Sequence, residues 1–394
     1  MTIALKGGKP VRDVIIPYGK QYIDADDIKS VSETLKSPYI TTGPKVEEFE
    51  KKLCDITGAK YSVAISNGTS ALHAACYAAG IKQGDEVITT PMTFVASANC
   101  ILYMGAKPIF ADINPHTWNI DPKEIEKKIT TKTKAVIAVD FTGQAVQLDE
   151  IRAICTKYSL ILIEDAAHAL GTKYKGIPVG NIADLTTFSF HPVKTVTCGE
   201  GGAIMTNNEE FYKKMKLFRS HSITREIDVL TQHPFNGYNE QVGLGFNYRM
   251  TDFQAALGIS QLDKLPVFSS RRRDIVAKYN ECFSKVPQLT IQQEISESET
   301  TRHLYIIRIV PSLLKADRNE IYSALNAENI GLQVHYIPVY YHPYYKSLGY
   351  NKGLCPIAET LYEEIITPLY YSLTDDDVDS VIEAVKKIIE YYKI

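Results

Sequence analysis

The chain has 394 residues and no apolar run long enough to cross a bilayer, for which about 20 consecutive apolar residues are needed. It has no excess of either charge. Its 43 Lys and Arg stand against 46 Asp and Glu, a net charge of -3 at pH 7. Neither nucleic acid nor an acidic membrane surface has an electrostatic claim on it. No CxxC pair occurs among its seven cysteines, and their number is odd. That argues against a zinc site and points to reduced thiols in a cytoplasmic protein. The opening stretch Thr2-Ile3-Ala4-Leu5-Lys6 lacks the long apolar segment of a signal peptide. No repeat and no low-complexity segment occurs. Tryptophan is present once and tyrosine 25 times, most densely in the last third. Tyrosine joins a stacking face to a hydrogen-bonding tip, which suits a polar, ring-containing ligand or a subunit interface.

The length allows two or three domains and a large core. Asp24 reads as a helix cap, with Asp27 three residues on and Ile28, Val31 and Leu35 at helical spacing, over 24–36. Strands are expected over 60–65, 86–89, 108–113, 135–139 and 160–164, and helices over 69–79, 94–104 and 148–157. Short apolar strands alternating with helices imply an α/β fold with a mostly parallel sheet covered on both faces. Ligands of such sheets bind beyond the carboxyl ends of the strands. Past about residue 255 the pattern changes to a smaller α+β unit. A long charged helix is expected over 261–284, with Arg271, Arg272 and Arg273 on a solvated face. Strands are expected over 303–310 and 331–336. A last helix, capped by Thr374, repeats Val378, Val381, Ile382, Val385, Ile388 and Ile389 at helical spacing. The expected division is 1–255 and 256–394.

Several residues fall at the strand ends. Asn67-Gly68-Thr69-Ser70 lies between a strand and a helix, where N–H groups and hydroxyls serve as an ordinary cap or converge on a phosphate. Phe94 falls at the start of the next helix, as core or as a stacking platform. Leu160-Ile161-Leu162-Ile163 delivers Glu164-Asp165-Ala166-Ala167-His168. A carboxylate buried there needs a partner, either a protonated ring nitrogen or His168 or a backbone amide. The decisive element is Ser189-Phe190-His191-Pro192-Val193-Lys194, followed by Cys198-Gly199-Glu200-Gly201-Gly202. A strand-end Asp, then a Ser-x-His-x-x-Lys loop, suits a pyridoxal 5′-phosphate (PLP) enzyme. Lys194 would carry the cofactor, Asp165 would face its pyridinium nitrogen and Ser189 would reach its phosphate. His191 shields the cofactor, touches substrate or packs.

At these residues the chain resembles the DegT/DnrJ-type sugar-nucleotide aminotransferases, a fold-type-I PLP family. The resemblance runs from Pro17-Tyr18-Gly19-Lys20-Gln21 through Thr41-Thr42-Gly43-Pro44, the Asn67, Asp165 and Lys194 segments and Gly245-Phe246-Asn247-Tyr248-Arg249, to Pro368-Leu369. It implies a seven-stranded large domain and a smaller C-terminal one. It implies Lys194 as the catalytic lysine, Thr69, Ser70 and Ser189 as phosphate ligands, Phe94 as the stacking residue, and His168 near the ring hydroxyl. Asn247 and Arg249 are implied to enter the neighbouring subunit's site, hence a homodimer with shared active sites. No metal is implied. Within the family, Val334-His335-Tyr336-Ile337-Pro338-Val339-Tyr340 resembles the branch that makes pseudaminic acid. That branch implies a UDP-linked 4-keto-6-deoxy-L-sugar as acceptor and L-glutamate as donor, with Tyr18, His191, His335 and Tyr336 as substrate contacts. Pro44 stands where that branch can carry a lysine. A different nucleotide-linked ketosugar and a non-catalytic PLP sensor are the rival readings. A related dehydratase would have His in place of Lys194.

Overall fold

The Val- and Ile-rich runs become strands because β-branched side chains pack well on a sheet buried on both sides. The computed structural model describes residues 2–232, 235, 237–366 and 369–394. The main sheet has seven strands: β1 (Tyr61–Ile65), β2 (Glu86–Thr89), β3 (Lys107–Phe110), β4 (Thr133–Val139), β5 (Ile161–Asp165), β6 (Leu185–Ser189) and β7 (Gly202–Thr206). Their spatial order is β1-β7-β6-β5-β4-β2-β3. β7 runs antiparallel to both of its neighbours and the other pairings are parallel. Alternate residues face opposite ways along each strand. Ile88, Val136, Ala138, Leu162 and Met205 therefore join one core, and Val87, Ala135, Ile137, Ile163 and Ile204 join another. Cutting a fully buried side chain such as Ile137 to Ala costs about 2–5 kcal/mol. This is the expected α/β architecture with a large, mostly parallel seven-stranded sheet.

A third core gathers Ile275, Tyr279, Phe283, Ile307, Ile321, Leu325 and the apolar stripe of helix Asp375–Tyr392, together with Ile3 and Ile16 from the N-terminal segment. Three short antiparallel strands lie against it, Leu289–Ile291, Ile307–Ile309 and Ile365–Ile366. Thr374 caps the last helix in a capping box with Asp377, and Asp24 and Asp27 form another at helix Ala25–Leu35. Among the described residues no helix is long and apolar enough to cross a membrane.

Four expectations need correction. The helix expected over 261–284 is two helices, Asp252–Asp263 and Leu265–Phe283, broken at Lys264, with Pro266 in the first turn of the second. Proline lacks the N–H that would continue the ladder, and Lys264 turns to pair with Asp24 and Asp27. Arg272 is not on a solvated face. It is 3% exposed and donates to the carbonyls of Arg302 and His303. No strand forms over 331–336. Gly331 N donates to Ile16 O within an isolated parallel bridge between Ile16 and Ile330, and Tyr322 Oη donates to Leu332 O, so no ladder runs on through this backbone. The strand expected over 303–310 shrinks to Ile307–Ile309, because His303 N and Leu304 N both donate to Thr142 O. Pro368, part of the C-terminal motif, lies outside the described residues.

Candidate active site

The carboxyl ends of β4, β5 and β6 open into a cavity of about 770 Å³, within the usual ligand-pocket range of about 300–1,000 Å³. Its floor forms where a helix start meets two strand ends. Asn67 caps helix Gly68–Ala78, its Oδ1 accepting from Ser70 N at 2.8 Å. Thr69 and Ser70 occupy the first turn, where N–H groups have no intrahelical acceptor. Ser189 ends β6 beside them, and all three line the cavity. β7 begins tightly against this floor. A Cβ on Gly202 would lie 2.5 Å from Asn67 O, so only glycine lets the strand pass.

Asp165 ends β5 and is 5% exposed. Ser97 Oγ donates to its Oδ2 at 2.6 Å and Ala167 N to its Oδ1 at 3.2 Å. Burial pushes the carboxyl above its ordinary value. The Ser97 and Ala167 hydrogen bonds and the charge of Lys194 hold it back. Lys194 is carried on the turn after β6, closed by its own N–H donating to His191 O at 2.9 Å. Desolvation of its amine lowers the pKa to about 8, against the pull of Asp165. An ordinary lysine is almost wholly protonated at neutral pH. Lys194 therefore keeps a useful neutral fraction there.

The opposite wall is irregular chain. Tyr18 Oη lies 2.7 Å from His335 Nε2, with the rings stacked at 5.1 Å. Tyr336 Oη lies 3.2 Å from His168 Nε2. The ring of His168 is 4.4 Å from that of His303, a buried residue behind it. Burial first, then the charge of Lys194, lowers His335 to about 4 and His168 well below the ordinary histidine range. Both imidazoles are neutral at pH 7.

The structure thus brings Tyr18, Thr69, Ser70, Phe94, Asp165, His168, Ser189, His191, Lys194, His335 and Tyr336 to one cavity. Phe94 precedes rather than starts its helix, which begins at Ala96, and its ring is 60% exposed. His191 is exposed at the rim. Asn247 and Arg249 lie outside this cavity, Asn247 bridging to Ser220. Sequence reasoning passed over Ser97 and His303 as site residues and put Arg272 on a solvated face. Only the need of a buried Asp165 for a donor pointed to Ser97. Nothing local marked His303, or that Arg272 turns inward. The lining fits a group with an anionic tail, a ring nitrogen and a reactive carbonyl, the three features expected of PLP. The helix start would take the first, Asp165 the second and Lys194 the third.

The description "DegT/DnrJ/EryC1/StrS aminotransferase family" belongs to the family model that matches residues 21–386. Spore coat polysaccharide biosynthesis protein SpsC of Bacillus subtilis is 41% identical over 384 residues, spanning 96% of this chain and 98% of that protein. UDP-4-amino-4,6-dideoxy-N-acetyl-beta-L-altrosamine transaminase of Campylobacter jejuni is 39% identical over 383 residues, spanning 96% and 99%. Among solved structures, Spr1654 from Streptococcus pneumoniae in its PLP form matches with a TM-score of 0.89 at 34% identity, over 96% of this chain and 99% of that one. Helicobacter pylori PseC, an aminotransferase involved in the biosynthesis of pseudoaminic acid, matches with a TM-score of 0.89 at 34% identity, over 96% and 100%.

Proposed function

The chain belongs to the DegT/DnrJ/EryC1/StrS aminotransferase family, and from that premise we propose a reaction for its site. With PLP bound, the enzyme moves the amino group of L-glutamate to C4 of a UDP-linked 4-keto-6-deoxy-N-acetyl-hexose, as in pseudaminic acid biosynthesis. The observation that carries this reading is the amine of Lys194, held at about 8 in the cavity that also contains buried Asp165 and the Asn67–Ser70 donors. The likeness to the Campylobacter and Helicobacter proteins supports the ketosugar.

Thr69, Ser70 and Ser189 would hold the phosphate, Asp165 the ring nitrogen, and Phe94 and His168 the ring. Bound there, PLP supplies the electron sink that makes a Cα proton acidic. The chain itself handles protons. Lys194 Nζ, neutral in part at pH 7, takes the proton from the Cα of glutamate; in the reverse half it returns one to C4 of the sugar. Glutamate leaves as 2-oxoglutarate and the ketone becomes an amine, so two half-reactions share one site and the kinetics are ping-pong. Tyr18, His335, Tyr336 and His191 would orient the nucleotide sugar. A second copy of the chain would complete the mouth with its Asn247 and Arg249, which lie outside the cavity of one chain.

The test is a spectrum of the purified PLP enzyme before and after glutamate. Loss of the visible-edge band, with one 2-oxoglutarate formed per site, is the expected result, and the 4-keto-L-sugar then restores the band. No response to glutamate would overturn the transaminase reading. Restoration by a D-configured or differently linked ketosugar alone would overturn the sugar assignment. SpsC, similar over nearly the whole chain, is named for spore coat polysaccharide and not for pseudaminic acid, so a different ketosugar is the second reading.

A further inference from the structure

The turn that follows β4 lies directly under His168. Thr142 O accepts from His303 N at 2.7 Å and from Leu304 N at 3.2 Å. A Cβ on Gly143 would sit 2.7 Å from His168 O and 2.9 Å from His303 N. A shift of this turn is therefore passed to the backbone that carries both imidazoles.

Two acids fasten the turn. Asp140 begins it, with Oδ1 accepting from Val146 N at 3.0 Å across the turn. Glu164, on the strand next door, has Oε2 accepting from Thr186 Oγ1 at 2.8 Å. Both residues are 0% exposed, and neither forms an ion pair among the described residues. Each has one further oxygen, Asp140 Oδ2 and Glu164 Oε1, that a buried environment leaves without a conventional donor. Ala138 pairs with Glu164 and Val139 with Asp165 across β4 and β5, so Asp140, two residues past Ala138, falls on the same face as Glu164 beside it. Two carboxylates cannot donate to each other. A buried pair of this kind, with no ion-paired cation, strongly disfavours the doubly charged state.

We infer that Asp140 and Glu164 keep at least one proton between them through neutral pH, and that this acid–carboxylate pair is a positioning element that pins the 140–146 turn to β5 and so sets His168 and His303. Its link to catalysis rests on the function proposed above, but the retained proton does not.

The surroundings agree. Burial raises both carboxyls. For Asp140 the charge of Glu164 adds to burial and Asp165 adds further, while Val146 N–H opposes. For Glu164, the hydrogen bonds from Thr186 and Asp140, the Gly180 N–H and the charge of Arg152 hold the rise to about 7. The sign follows from linkage. An acid whose folded pKa is raised keeps a proton that the unfolded chain has already lost, so its contribution to stability is present at low pH and falls as pH rises.

The test compares thermal midpoints of the PLP enzyme and its Asp140→Asn and Glu164→Gln variants from about pH 5 to about pH 8, a span above the ordinary carboxyl pKa values. An amide donates to the remaining carboxylate without taking up a proton. The variants should gain on the parent as pH rises, on the order of 1–3 °C per pH unit. Parallel curves would overturn the shared proton, and so would failure of both amide variants to fold. Positioning is read separately. Asp140→Asn should keep kcat within a few-fold of the parent and Asp140→Leu should not. Equal activity of the two would show that the acid only fills space.

Discussion

On one side of the cavity, Asp165 and Ser189 sit at the ends of neighbouring strands, with Lys194 on the turn just beyond. On the other, Tyr18, His335 and Tyr336 ride on chain with no regular structure. The first wall takes its geometry from backbone ladders and a capped helix. The second takes it from ring packing and a few side-chain hydrogen bonds. Ladders fix position within tenths of an ångström and resist change, which suits a cofactor that is the same in every turnover. Ring packing adapts, which suits the part of a site that selects among sugars.

The largest effect that separates the walls is at Lys194. Lys194→Ala should lower kcat by about 10²–10⁴-fold, the range lost when a positioned general acid–base is removed. The same variant should still bind the nucleotide sugar, measured by equilibrium titration. Turnover within tenfold of the parent would mean that the strand wall is not where protons move.

Next comes the support behind the second wall. Arg272 donates to two buried carbonyls and has no carboxylate partner among the hydrogen bonds and ion pairs described for it. Arg272→Met keeps the apolar stem but orphans those carbonyls. It should lower stability by about 2–3 kcal/mol in urea unfolding. A loss under about 0.5 kcal/mol would show that the carbonyls find other donors and that the irregular wall is self-supporting.

The same contrast explains what the sequence disclosed. β1, β2, β4 and β5 were legible because a strand buried on both faces leaves a run of Val, Ile and Ala that nothing else explains. The meeting of Asp165 and Lys194 in one cavity was legible because strand ends and the turns beyond them fall at one edge of such a sheet. Residues 331–336 were misread as a strand because Val334, Tyr336 and Ile337 have strand-like composition, while what decides their shape is remote: Ile16 and Tyr322 take the backbone groups of Gly331 and Leu332. Arg272 was misread for a related reason. Three consecutive arginines read as a solvated face, yet helical geometry turns the middle one inward while Arg271 reaches Asp375 at 2.8 Å. Interactions with residues outside the segment leave no pattern within it.

A pH experiment sharpens the first wall further. Lys194 reacts only as the neutral amine, and burial has brought its pKa down to about 8. Below that value the rate of PLP uptake by cofactor-free protein should rise about tenfold per pH unit, and above it the rate should level off. A rate still climbing near pH 10, as for an exposed lysine of ordinary pKa about 10.4, would show that the strand wall does not desolvate the amine.

The smallest effect tests the second wall alone. Tyr18→Phe removes the 2.7 Å contact to His335 Nε2 and keeps the ring stack. One such hydrogen bond contributes about 1 kcal/mol, or roughly fivefold in affinity. Because His335 is neutral at pH 7, no charge is stranded by the change and the loss should stay near that size. It should appear as a higher KM for the ketosugar, with the glutamate half-reaction unchanged, when both substrates are varied in steady state. An equal loss in both half-reactions would place Tyr18 and His335 against the cofactor, and the division of labour between a rigid wall and an adaptable one would fall.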